Sequence, residues 1–330
     1  MTERLDAFQR RHRWAGFPLA VVYKYFDDQG HYLAALITFY AFLSIVPLLL
    51  LGSSVLGIVL QGNPDLRDWI LDSALSQFPV IGDQLGRPEG LPGSGAGVLV
   101  GALGLVYGAL GIAQATQNAM NVAWAVPRNR RPNPFLSRLR SMVLLITAGF
   151  AILGTTLLSA LGSRVDVFGV DLGGWPKLLV TLATITLNAA IFVLLLRMAT
   201  AHRQSLRAAA PGAVLAAVVW HLLQLSGAAF VDGVVREASM TNSVFALVLG
   251  LVAWIYLGAV TVVIAAEVNV VHDQRLYPRA LLTPFTDNVD LTPADRRAYA
   301  AYANAQRTKG FQSVDVRFAN KGQNRDKPSP

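Results

Sequence analysis

No cysteine occurs anywhere in the 330 residues. That excludes disulfides, cysteine-ligated metal centres and thiol nucleophiles, and it leaves the redox compartment unmarked. Charge is scarce too: Asp, Glu, Lys and Arg make up 15% of the chain, against about 25% in soluble globular proteins. Hydrophobic residues make up 53%, and the mean hydropathy is +0.44, more apolar surface than an aqueous fold can hide. Catalytic signatures are missing as well. The histidines at 12, 31, 202, 221 and 272 form no H-x-x-x-H or H-E-x-x-H grouping. No G-x-x-x-x-G-K-[ST] loop is present to cradle nucleotide phosphates, and no G-x-S-x-G elbow to carry a nucleophile. The chain is therefore expected to be neither an enzyme nor the holder of a metal or organic cofactor.

What is present is a set of apolar runs near the 20 residues that a helix needs to cross a bilayer. They lie near Leu33–Leu60, Gly95–Gln117, Ser141–Gly162, Lys177–Leu196, Pro211–Val231 and Ser243–Ala266. These predict an all-α polytopic membrane protein with six transmembrane helices. Lys24, Asp27 and Asp28 interrupt any apolar stretch behind the basic start, so a cleavable signal peptide is not expected.

Charge distribution predicts the orientation. With the amino terminus cytoplasmic, six spans return the carboxy terminus to the same side. The segments on that side then hold 23 of the 28 Lys and Arg, as the positive-inside rule requires. The stretch 128–140, "RNRRPNPFLSRLR", has five arginines and no acid. This face suits anionic lipid head groups. No stacking platform or groove-entering motif accompanies the charge, so no specific nucleic-acid partner is expected.

Three regions fall outside the predicted bilayer core. Residues 1–30 read as a cytoplasmic or interfacial segment with a short helix, with Trp14, Phe17, Tyr23 and Tyr25 as belt aromatics. The transmembrane domain covers 31–270, interrupted by the extracytoplasmic loop 61–94. There Leu66, Trp69, Ile70, Leu75 and Phe78 recur at helical spacing and predict an amphipathic surface helix. The cytoplasmic tail, 271–330, holds a short helix near 292–309, with Thr292 as N-cap and Asp295 closing a capping box, and then a disordered polar end.

Within the spans, polar and small residues are sparse enough to weigh singly. Gly97, Gly101, Gly104, Gly108 and Gly111 line one face of the second span. Such a seam lets two backbones approach closely. It serves tight intramolecular packing, or else a homodimer contact or a sliding surface. Gln114, Gln117, Asn118 and Asn121 extend this helix, with Trp124 as an interfacial anchor. In the first span Tyr40, Ser44, Pro47 and Ser54 share a face, and the Ser44 hydroxyl is placed to meet a carbonyl freed by the proline. That face reads as a packed kink, or as a hinge or polar line against a cavity. The fourth span offers Thr181, Thr184 and Asn188. The fifth offers His221 and Gln224, as a structural contact or a proton or substrate site. In the sixth, Tyr256 lies below Glu267, a boundary carboxylate that is either solvated or turned inward for pairing or proton exchange.

The segments "AALITFYAFLSIVPLLLLGSSVLG", "QATQNAMNVAWAV", "PGAVLAAVVWHL" and "SVFALVLGLVAWIYLGAVTVVIAAEVNVV" resemble, in order and spacing, the YihY/BrkB family of bacterial inner-membrane proteins. The likeness runs from about residue 10 to 275. It implies a six-span inner-membrane protein, both termini cytoplasmic, with roles in envelope integrity, virulence and export of lipid or other amphiphiles. An old ribonuclease BN label attached to some members is not supported here, because the histidine and aspartate clusters of that nuclease class are absent.

Two functional readings follow. The first is a transporter or flippase-like exporter, with Tyr40, Ser44, Pro47, Asn188, His221, Gln224, Tyr256 and Glu267 as the candidate substrate or proton pathway. The second is a non-transporting structural or partner-binding envelope protein, in which the same residues hold helices together. Membrane lipids, an amphiphilic substrate and a second copy joined through the glycine seam are the expected partners.

Overall fold

The computed structural model describes residues 2–59, 95–165, 174–230, 240–283, 286 and 289–318. Among these, every regular element is helical. Two short helices, α1 (Thr2–Arg11) and α2 (Arg13–Asp27), come first. Six long ones follow: α3 (Gly30–Val59), α4 (Gly95–Ala123), α5 (Pro134–Val165), α6 (Gly174–Ala199), α7 (Leu206–Phe230) and α8 (Met240–Asp273). The last described helix is α9 (Pro293–Ala305). The expected amphipathic helix of 61–94 and the polar end after residue 318 lie outside the described residues.

Local chemistry sets the boundaries. Asn133 opens α5 by accepting the Leu136 amide at 2.8 Å, with Pro134 as the first helical residue. Ser205 caps α7 through the Ala208 amide at 3.1 Å. At α9 the full capping box forms between Thr292 and Asp295, with Pro293 just inside. At the other ends, α4 and α8 stop on left-handed residues, Ala125 (φ 47°) and Arg275 (φ 52°). The following amides close back on Asn121 O at 2.9 Å and Val271 O at 3.1 Å, satisfying carbonyls that the last turn leaves open.

The long helices close a ring. α3 packs on α4, α4 on α5, α5 on α6, α6 on α7 and α7 on α8, while α8 returns to α3 and also carries α2. Among the described residues four stretches are long and apolar enough to cross a membrane: Pro134–Ala151, Thr181–Ala199, Leu206–Gly227 and Val248–Asp273. A shorter apolar stretch covers Gly30–Ile45. The outward surface is apolar, with Phe150, Leu179 and Leu249 exposing 71%, 64% and 67%. On a water-soluble protein such a surface would be a liability; against acyl chains it is at rest. The interior at one end is built largely from alanine, including Ala34, Ala113, Ala119, Ala213, Ala216 and Ala265, so backbones meet closely there.

The polar face of α3 meets the glycine face of α4. In antiparallel register, Tyr40 lies over Gly111, Ser44 over Gly108 and Pro47 over Gly104. A Cβ at Gly111 or Gly108 would run into the Tyr40 ring or the Ser44 hydroxyl, and one at Gly104 would sit 2.9 Å from Pro47 Cγ. At these three positions the seam is filled by α3 of the same chain. Gly101 is buried as well. Gly97 lies in α4, and Ser54 in α3, but their side-chain surroundings are outside the described residues. Ser44 donates to Tyr40 O at 2.7 Å, the ordinary bond to the carbonyl four residues back. The hydroxyl was placed to meet a carbonyl freed by the proline; its acceptor is instead Tyr40 O, whereas Pro47 frees the carbonyl of Leu43.

The amide-rich end of α4 ties down the adjoining loops. Gln117 donates to Ser141 Oγ at 2.8 Å, Asn118 accepts from Arg131 at 3.2 Å and Asn121 accepts the Ala201 amide at 2.9 Å. Trp124 was expected at an interface and is instead 4% exposed, stacked on His202 at 4.4 Å.

Candidate functional site: a buried charge network

Most of the buried charge gathers where α2, α8 and α9 meet. On α2 and its C-cap residue Asp28, the four-residue step from Ala20 to Lys24 to Asp28 keeps all three on one face, and all three are buried. On α8, Val263, Glu267, Val270 and Val271 form the matching inward face, with Glu267 at 0% exposure. The boundary carboxylate is thus turned inward, and its partner is a lysine.

Lys24 Nζ lies 3.4 Å from Glu267 Oε2, pairs closely with Asp28 and donates to Ala123 O at 2.9 Å. The Tyr302 ring of α9 covers it at 5.1 Å. No described group hydrogen-bonds either Glu267 oxygen. One ammonium therefore faces two carboxylates in a site closed to water, and the cluster is one positive charge short of balance.

Groups outside the spans respond accordingly. Burial pushes the Asp28 carboxyl above its ordinary value, against the pull of Lys24. For Lys24, burial disfavours the charge, but Glu267 and Asp28 outweigh it and raise its pKa. Tyr25 is pushed up to about 12 by burial and by the neighbouring Tyr256. Tyr302 is raised by burial and the neighbouring Asp28 charge.

A second network adjoins the first. Arg279, 1% exposed, pairs closely with Asp295 through Nε and reaches Asp27 at 3.0 Å through its other arm. Asp295 has a double task, because its second oxygen accepts the Ala280 amide at 3.0 Å and the Thr292 amide at 2.9 Å. Asp6 of α1 accepts the Leu281 amide at 2.9 Å. The segment after α8 is thereby clamped between the two ends of the chain. Burial raises Asp27 against the pull of Arg279, and Asp295 and Asp27 raise Arg279 despite its burial.

The candidate pathway residues fall into separate places. Tyr256 and Glu267 join the Lys24 cluster, directly or through Tyr25. Tyr40, Ser44 and Pro47 belong to the α3–α4 contact. His221 and Gln224 are half-buried along α7, and Asn188 is half-buried in α6. Among the described residues no three His, Asp or Glu side chains converge to hold a metal ion.

The profile of the family described as "Virulence factor BrkB" matches residues 21–288. The chain belongs to this BrkB family. Among curated proteins it is similar to UPF0761 membrane proteins. That of Stenotrophomonas maltophilia strain K279a is 26% identical over 275 residues, covering 80% of this chain and 62% of the relative. Those of Alkalilimnicola ehrlichii and Halorhodospira halophila are each 27% identical, over 263 and 267 residues. They align with 76% and 77% of this chain and with 57% and 56% of their own lengths. The chain thus spans about six-tenths of the relatives it matches. No solved structure matches it.

Family membership and the apolar helices together identify a membrane protein. The BrkB-matched region contains Lys24, Asp27, Asp28, Glu267 and Arg279, whereas Asp295 and Tyr302 lie beyond it. α9 is therefore a cover laid by the tail over a charge cluster that lies within the BrkB region. In the sequence Lys24, Asp27 and Asp28 signalled only an interrupted apolar run, and Arg279 only one more tail cation. The local signal for the pair was the spacing of Lys24 and Asp28 on the face that carries Ala20.

Proposed function

We propose that this BrkB-family chain is a six-span protein of the bacterial inner membrane, both ends cytoplasmic, that exports a lipid or another amphiphile rather than catalysing a reaction. The Lys24–Asp28–Glu267 cluster is its proton-exchange site. One observation carries the reading: a lysine and two carboxylates are enclosed together, one charge short of balance, where the longest apolar helix ends. Buried ionisable groups at membrane helices are costly, and proton relays are a principal reason for keeping them. The orientation is supported by the arginines of the loops and tail, which lie on the same end of the bundle as the cluster.

The test is reconstitution into liposomes with an imposed pH gradient, following outward movement of labelled phospholipid and of a single-chain amphiphile. Wild-type protein is expected to accelerate movement in proportion to the gradient. Glu267→Gln is expected to fold to normal abundance and to lose the gradient dependence. Movement that is absent in wild type, or unchanged in Glu267→Gln, rejects the proposal.

The α3–α4 contact favours a second reading, a non-transporting envelope scaffold. Tyr40, Ser44 and Pro47 pack against Gly111, Gly108 and Gly104 of the neighbouring helix, as residues that hold helices together would. Under this reading Glu267→Gln and His221→Ala lower the amount of folded protein without selectively lowering function.

A further inference from the structure

A second polar feature lies on the same end of the bundle, outside the charge cluster. A cavity of about 730 Å³ opens between α1, the start of α7 and the end of α8. Its walls carry Arg10 and Arg11 from α1, Arg207 from α7 and Arg275 from the turn after α8. Chain segments nearly 270 residues apart thus deliver four guanidinium groups to one space.

Little within the chain neutralises them. Arg10 pairs with Asp6 at 2.7 Å, and Asp273 is the acid in the wall. No described residue forms an ion pair with Arg11, Arg207 or Arg275. Four positive charges against two negative ones leave an excess of two. Ser205, also in the wall, accepts the Ala208 amide at 3.1 Å, which leaves its O–H as a neutral donor beside the arginines. Guanidinium forks match phosphate oxygens in pairs, and a phosphomonoester carries roughly −1.5 to −2 at neutral pH.

We propose that this cavity holds a phosphate group, with Arg11, Arg207 and Arg275 as its principal ligands. Two sources share that chemistry: the head group of a membrane lipid and a soluble phosphate. The neighbouring residues Trp14 and Leu206 expose 71% and 62%, apolar surface that would border acyl chains if a lipid docked. The site goes beyond the export reading and does not depend on it, because binding is measured without a gradient or a second compartment.

The experiment uses the full chain purified in a zwitterionic detergent. Its thermal midpoint and binding isotherm are followed with phosphatidic acid in mixed micelles, with phosphatidylcholine as the neutral control, and separately with inorganic phosphate. A response to phosphatidic acid alone identifies a lipid head group, and an equal response to inorganic phosphate identifies a soluble source; either supports the site. Replacing Arg11, Arg207 and Arg275 by glutamine should weaken binding by about tenfold or more, the scale of losing one charge-assisted contact. These arginines are exposed and free of described ion pairs, so the unliganded midpoint should stay unchanged. Arg130→Gln with Arg138→Gln, which removes two basic charges elsewhere, should leave binding intact. Equal binding by the triple variant, or equal loss in the Arg130 and Arg138 control, overturns the proposal, as does a wild type that answers neither phosphate source. Loss of binding with intact gradient-driven movement would separate this site from the transport reading.

Discussion

Ser44 of α3 occupies the space that any side chain at Gly108 of α4 would need. The hydroxyl is satisfied within its own helix, so the contact between the two helices is one of shape. Gly108→Ala and Gly111→Ala should each cost about 1–3 kcal/mol, the usual range for overpacking a closed contact. Gly149 and Gly154 of α5 supply the control, since a Cβ there meets nothing within 4 Å. Alanine at those two sites should be neutral or stabilising by roughly 0.5–1 kcal/mol, the helical advantage over glycine. Unfolding midpoints of the four variants in one detergent decide the matter, and equal midpoints would refute the assigned contact.

Both sides of that contact were visible in the sequence as faces: a polar stripe at 40, 44 and 47, and a glycine stripe at 104, 108 and 111. Helical periodicity is local and can be read from one strand of text. Which face meets which is a long-range matter, and neither stripe names its partner. The same divide explains α9 and the charge cluster. Thr292, Pro293 and Asp295 mark a helix start within four residues, and α9 begins there. Lys24 and Glu267 are separated by most of the chain, and their pairing depends on α2 folding back onto α8, which no spacing rule encodes.

Lys24 stands between two acids, so its loss should be felt more than theirs. Lys24→Met leaves two buried carboxylates facing each other, and about 3–5 kcal/mol of destabilisation is expected for breaking such a group from one side. Adding Asp28→Asn and Glu267→Gln removes the uncompensated charge and should recover most of the loss. A triple variant no more stable than Lys24→Met would mean that the cluster is held by packing alone.

Arg279 joins Asp27 near the amino end to Asp295 in the tail, and only a forked side chain reaches both. Lysine can satisfy one carboxylate at a time. Arg279→Lys should therefore cost about 1.5–3 kcal/mol, the worth of one hydrogen bond to a charged group. It should also speed amide hydrogen exchange at Ala280 and Leu281, whose amides are held by Asp295 and Asp6. Unchanged exchange at both amides would show that the clamp does not depend on the second arm of the arginine.

Acid should strengthen this end of the protein. Burial raises the folded-state pKa of Asp28 and of Asp27 above the ordinary 3.8. A raised group binds its proton more readily in the folded state. Its stabilising contribution is full below the unfolded value and fades as pH rises through the folded one. Lys24 is shifted upward and Arg279 is held charged, so neither gains or loses a proton in that window. Thermal midpoints measured from about pH 4 to about pH 7 should therefore contain a falling component that Asp28→Asn reduces, because the amide mimics the protonated acid at every pH. Exposed carboxylates such as Asp315 should leave the component untouched when replaced by asparagine. A slope that survives Asp28→Asn and Asp27→Asn together would place its origin outside the network that joins the two ends of the chain.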